Sequence, residues 1–212
     1  MSGSGRRKRL GNLVGFVTLL NAAGASSLAE FAISLPLLVV LVVGIFDFGG
    51  AFNQKQQLSN AMREAARFGA SEATNDLANP TVPPSIDAIR YLVDSYLVAA
   101  RMNDCGLGTA STSSTASPWV YNTTGTCVGI LMLTIARDAP YGGTTTLSRP
   151  TCSLTATNYG GSNPININIP CTQVTISYPY QWHFNSVIQL LVPGASLTLT
   201  QIAAGATAAN MN

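Results

Sequence analysis

Charge is what this chain has least of. Only 9% of its 212 residues are charged, against about 25% in an ordinary soluble domain. What charge exists is unevenly placed. Arg6, Arg7, Lys8 and Arg9 put four positive charges at the N-terminus, and the remainder holds seven basic residues against nine acidic ones. A nucleic-acid binder would need a broad basic face, so that class is excluded. Long disorder is excluded as well, because it requires low hydrophobicity and 47% of this chain is hydrophobic. Histidine is almost missing. His183 stands alone, and its Tyr, Trp and Phe neighbours predict a packed side chain rather than a base. No G-x-S-x-G, H-E-x-x-H or phosphate-loop pattern occurs. Asp87, Asp94 and Asp104 have no visible partner carboxylate, and Gly106-Leu107-Gly108 is too short for a nucleotide fingerprint. The expectation is a protein without catalytic residues, cofactor or metal site.

Charge is absent altogether from Phe31 to Phe46, FAISLPLLVVLVVGIF. Sixteen helical residues cover about 24 Å, and a bilayer core of about 30 Å needs about 20. Leu28 to Glu30 and Asp47 to Phe52 close the gap. The run is apolar on every face, unlike a surface helix of a soluble protein. Pro36 lies one turn in, where a membrane helix tolerates it. Glu30 marks one edge, with Ser26 and Ser27 ahead of it as N-cap candidates. Asp47 marks the other edge and is expected to reach into the headgroups.

Ahead of this run, Leu10 to Ala23 is a weaker apolar stretch behind Arg-Arg-Lys-Arg, the layout of a leader. Ala23-Gly24-Ala25 reads as a signal-peptidase site. Ala25 also stands just before a segment whose fifth residue is Glu30.

Four regions follow from composition: a basic leader-like segment 1–25, a transmembrane helix 26–52, a helical neck 53–103 and a strand-rich domain 104–212. Gln54 to Ala73 reads as a helix leaving the membrane, with Leu58, Ala61, Met62, Ala65 and Phe68 as its apolar stripe. Arg63, Glu64 and Arg67 lie off that stripe. After Pro80, Pro83 and Pro84, residues 87–102 form a second amphipathic helix with Ile86, Ile89, Leu92, Val93, Tyr96 and Leu97 on its core side. Cys127 to Arg137 and Thr172 to Tyr180 read as strands, and Leu197, Leu199 and Ile202 begin a last one. A short helical connection is expected over 185–192. Residues 106–118 and 141–170, rich in Gly, Ser, Thr and Asn, read as loops. The fold class expected is α+β: a long N-terminal transmembrane helix continuing into a head with a small, mainly antiparallel sheet.

All four cysteines, Cys105, Cys127, Cys152 and Cys171, follow the membrane run. An even number in a loop-rich exported region points to disulfides, and three pairings are open. If neighbours pair, each loop of about 20 residues contributes ~3 kcal/mol in the chain-entropy description. The spacings contain no C-x₂-C knuckle for a metal.

Ser27-Leu28-Ala29-Glu30-Phe31-Ala32, Pro36, Gly44-Ile45-Phe46-Asp47-Phe48-Gly49 and the polar Gln57-Leu58-Ser59-Asn60-Ala61-Met62-Arg63-Glu64-Ala65-Ala66-Arg67 together resemble the TadE-like pseudopilins of tight-adherence (Tad, Flp-type) pilus systems. Val174 to Tyr180 and Ser196 to Thr200 look like that family's closing strands. The resemblance implies a pilin-like layout for the head and a structural or assembly role in a pilus or secretion apparatus. It implies a prepilin peptidase cutting between Ala25 and Ser26, with Ala25 standing where Gly is usual. Glu30 then contacts the new amino terminus of a neighbouring subunit, and Pro36, Asp47, Arg63 and Arg67 join it as subunit contacts. Sister subunits and membrane lipid are the partners implied. The implied place is a bacterial inner membrane, crossed once, with the C-terminal domain outside the cytoplasm. Four basic residues at the start favour that orientation mildly over Lys55, Arg63 and Arg67 beyond the span. The rival is an envelope binding module on the same anchor, using Tyr178, Tyr180, Trp182 and Phe184 as its surface.

Overall fold

The structure is a computed structural model. It describes residues 6–78, 81–112, 114–137, 151–157, 164–185, 189, 194 and 200–210, with the side chains of 6–25, 78, 151 and 153–168 outside the description. Two units make up the chain. One comprises Met1–Phe48 with His183–Ser196, the other Gly49–Trp182 with Leu197–Asn212.

Helix α1 runs from Arg6 to Ser71, without a break at either expected boundary, 25 or 52. From Leu58 onward its alanines favour helix intrinsically and shape a flat face. Leu58, Ala61, Met62, Ala65, Ala66 and Ala70 are buried. Gly69 interrupts the alanines for a packing reason. A Cβ there would lie 2.7 Å from Ile89 Cδ1 and 2.8 Å from Thr172 Cγ2, so the missing methyl lets α1 approach both its neighbours.

Helix α2 spans Pro84–Ala99 and starts on the prolines themselves. Pro84 occupies the first turn, where its missing N–H costs nothing. Ser85 N–H donates to Asp76 Oδ2 at 2.9 Å, supplying the cap that Pro83 lacks. The helix ends in a Schellman turn: Met102 N–H reaches Leu97 O and Arg101 N–H reaches Val98 O, with Arg101 left-handed at φ 57°. Ile86, Ile89, Val93 and Leu97 are buried as expected, Leu92 is half-buried, and Tyr96 is exposed rather than core-facing.

The sheet is antiparallel and consists of β1 (Trp119–Thr123), β2 (Leu131–Arg137), β3 (Thr151–Thr157), β4 (Pro164–Tyr180) and β5 (Thr200–Ala209). Strand β4 organises it. Its second half pairs with β2 on one side, Leu133 opposite Ile176, and with β5 on the other, Tyr178 opposite Ile202. Its first half pairs with β3, and β1 pairs with β2. Pro170, which has no N–H to give a ladder, stands where β4 exchanges β3 for its other neighbours. Trp119, Tyr121, Leu131, Leu133, Ile135, Val174, Ile176, Tyr178 and Ile202 form one face and share a core with α1 and α2.

Three expectations are corrected. Cys127 to Ile130 is not strand: β2 begins at Leu131, and Val128 and Ile130 are exposed. Residues 141–170 are not all loop, because β3 and half of β4 lie there. Strand β1 was not anticipated. The last strand begins at Thr200, while Leu197 and Leu199 fall outside the described residues, as does most of 185–192.

Candidate functional site: the exposed apolar helix and its polar ends

Between Leu28 and Phe52, 13 large hydrophobic side chains of α1 are exposed, including Leu28, Phe31, Ile33, Leu37, Ile45 and Phe46 at more than 60%. None of the most apolar 18-residue window is buried. Leaving such surface in water costs on the order of 15 kcal/mol, at roughly 1 kcal/mol for each half-exposed side chain. That equals or exceeds the whole stability of a typical domain. Such a surface suits lipid rather than water, and the helix is long and apolar enough to cross a bilayer once. Its polar groups fit that medium. Ser34 Oγ donates back to Phe31 O at 3.2 Å. Pro36 sits inside the helix and leaves the Ala32 carbonyl without its usual donor.

Glu30 is exposed and bonds to none of the described residues. A carboxylate entering hydrocarbon costs at least ~2.5 kcal/mol unless it is paired. Ser26 is also exposed, and the Ala25-Ser26 bond lies within α1. Asp47 behaves differently. It is only 6% exposed, accepts a hydrogen bond from Phe184 N–H, and lies 3.1 Å from His183 Nδ1. The carboxylate is turned onto the protein. The histidine expected to be packed has a side chain 87% exposed. Nothing in the local sequence of either residue announces this meeting.

Beyond the span, Lys55, Gln56, Ser59, Asn60 and Arg63 line a shallow depression with Phe52. Arg67 continues the same face one turn on. Arg63, Glu64 and Arg67 are exposed, and none takes an ion-pair partner among the described residues. This polar face is opposite the buried alanine face, so α1 offers it to solvent or to another protein.

Two arginines that the sequence did not single out hold the second unit together. Arg137 is 2% exposed. It donates to Glu72 O at 2.8 Å, Ser85 Oγ at 2.6 Å and Thr172 Oγ1 at 3.2 Å. It thus satisfies a carbonyl at the end of α1, where a cation also suits the helix dipole, and ties that end to α2 and β4. Burial lowers its pKa, against the opposing pull of Asp76 and Glu72. Arg90 donates to Leu107 O and Gly108 O at 2.8 and 2.6 Å and stacks over Tyr91 at 4.1 Å. Beside it, burial and then the Asp87 charge push the Tyr121 phenol up to about 12.

The cysteines pair with their neighbours in sequence, Cys105 with Cys127 and Cys152 with Cys171. The first bond sits in a tight crossing. Gly125 is left-handed at φ +37°, and a Cβ there would collide with Cys105 O, so only glycine fits.

Folding also unites two acids that looked solitary. Asp94 is raised in pKa by burial first, then by the charge of Asp104 and a hydrogen bond to it. A raised folded pKa means that the folded state holds its proton longer. The stabilisation is present below the unfolded pKa, near 3.9, and is lost as pH rises through the folded value. Asp94→Asn is therefore expected to raise the melting temperature at pH 7 and to leave it nearly unchanged at pH 3. Melting curves at both pH values check this. An equal shift at both would contradict it.

Among the described residues, no group of three His, Cys, Asp or Glu side chains is placed to hold a metal. Residues 24–67 match the model of a family described as TadE-like protein. No curated protein and no solved structure matches the chain significantly.

Proposed function

We propose that this TadE-like chain is a single-span membrane subunit that helps to build a Tad-type pilus or its secretion apparatus. The supporting observation is a coincidence: the segment that matches the family, 24–67, contains the exposed apolar helix, Glu30 with no partner among the described residues, and the exposed Arg63/Arg67 face. In this reading Glu30 meets a cation of a neighbouring subunit, such as a new amino terminus left by a prepilin peptidase cutting between Ala25 and Ser26. Small residues Ala32, Gly44 and Gly49 let sister helices approach closely in lipid. Gly50 has a different use, since a Cβ there would lie 3.3 Å from the Tyr180 hydroxyl. Pro36 and the Arg63/Arg67 face add shape and charge to the contact. The head lies outside the cytoplasm of a bacterial inner membrane, where its disulfides form and persist.

The rival reading, a binding module on the same anchor, has lost part of its surface, because Tyr178 and Tyr180 are buried. Glu30→Ala separates the two. Neutralising a contact of ~2–3 kcal/mol weakens subunit association roughly 30- to 150-fold. The variant is expected to insert in the membrane at normal levels while pilus assembly and chemical cross-linking to sister subunits are lost. Normal assembly and cross-linking by an inserted variant would contradict the proposal.

A further inference from the structure

We propose that the corner at His183 and Phe184 is a second membrane contact, seated in the phospholipid headgroup layer and locked there by Asp47. This rests on the reading of α1 as a membrane span. Twenty helical residues cross the hydrocarbon layer, and twenty residues counted from Leu28 end at Asp47. Asp47 therefore lies at the edge of the hydrocarbon. An ionised carboxylate left bare at that depth is costly, yet Asp47 is buried against protein. Two of the groups that meet it come from far along the chain: the backbone N–H of Phe184 and the imidazole of His183, 137 and 136 residues away. Whatever holds that carboxylate shares its depth, so the corner lies within about one helical turn of the lipid boundary.

The residue types suit that position. Phe184 is half-buried and His183 points its ring outward, and Trp182 directly precedes them. Aromatic residues with one polar end concentrate at the boundary between lipid and water. Trp182 is such a residue: it is half-buried, and its indole N–H donates to Thr200 Oγ1 at 2.7 Å. The Asp47 contacts also explain how an acid can follow sixteen uncharged residues without requiring a lipid counter-charge. The chain thus touches the membrane twice, once through α1 and once through the corner at His183 and Phe184.

Trp182 reports on the corner. The full chain is reconstituted in phosphatidylethanolamine/phosphatidylglycerol vesicles, with flotation as the check on the span. The emission of Trp182 is taken as the native chain minus Trp182→Phe. Trp119 is 2% exposed in the core and forms a constant background, so acrylamide quenching of the native chain gives an independent reading. The expected result is quenching by lipids brominated near the headgroup, at least twofold stronger than by lipids brominated deep in the chain, and little quenching by acrylamide. A chain that floats but whose Trp182 is quenched by acrylamide and not by bromolipid overturns the proposal while leaving the span intact. A chain that does not float overturns the span reading itself. Asp47→Ala is expected to float and to lose at least half of the shallow quenching, whereas Asp47→Asn, which keeps an acceptor for Phe184 N–H, retains most of it. Undiminished quenching in Asp47→Ala would overturn the lock.

Discussion

Arg137→Met is expected to destabilise the Gly49–Trp182 unit by about 3 kcal/mol, a fall in melting temperature of roughly 10 °C for a unit of this size. Two effects compete. Removing the guanidinium relieves its own desolvation, visible in the lowered pKa, and a well-packed apolar side chain sometimes gains from that exchange. Against it stand the acceptors left behind: Glu72 O, Ser85 Oγ and Thr172 Oγ1. Each hydrogen bond to a charged group is worth about 1.5–3 kcal/mol, and the loss of three outweighs one relieved cation even though Thr172 Oγ1 keeps its bond to Asn210 Oδ1 at 2.8 Å. The end of α1 also loses the charge that suits its dipole. Arg137→Lys is expected to recover less than half, because one ammonium cannot span the same fork. Thermal melts in mild detergent check this, and a loss below about 1 kcal/mol in Arg137→Met would contradict it.

The second large effect concerns the bond between Cys105 and Cys127. Replacing both by alanine is expected to cost about 3 kcal/mol, from a loop with a sequence separation of 22 residues. The loop has other support as well: β1 pairs with β2, Leu107, Trp119 and Tyr121 are buried, and Arg90 donates to Leu107 O and Gly108 O. Close to the bond itself, the Thr123 hydroxyl donates to Cys105 O, Asn103 pairs with Thr126 at 2.9 Å and Tyr178 OH donates to Asn103 O at 2.9 Å. Cys105 is wholly buried beside Leu107, so the variant also leaves a cavity at the end of α2. Denaturant midpoints of the double variant and the native chain measure the difference. A change below about 1 kcal/mol would show that strand pairing, core burial and these hydrogen bonds hold the loop unaided.

The parts legible in sequence were those written in a single period. The span announced itself by sixteen uncharged residues. The Leu58-Ala61-Met62-Ala65 stripe and the Ile86-Ile89-Val93-Leu97 stripe repeat at helical spacing and are buried in the structure. Val174, Ile176 and Tyr178 alternate, and they line the core face of β4. The first half of β4 carries the same alternation, Ile165, Ile167 and Ile169, but asparagines fill the other positions and prolines bracket it, so composition hid the period. In Cys127 to Ile130 the error ran the other way: apolar residues suggested strand where a disulfide and a turn determine the path. Tertiary pairings were not legible at all. Asp47 and His183 are 136 residues apart, Arg137 and Glu72 65 apart, and no local pattern links either pair. Glu30 is the instructive opposite. A charge there has no local justification in the sequence, and it bonds to none of the described residues.

The central claim is an anchored subunit whose stapled head lies outside the cytoplasm. Its most direct test is the intact mass of the chain taken from its native membrane, alkylated with and without prior reduction, after protease has been added to spheroplasts. The account predicts that untreated chain stays in the membrane fraction with both disulfides formed, and that external protease removes the head. Four free thiols on a chain whose head is protected until the membrane is broken would contradict it.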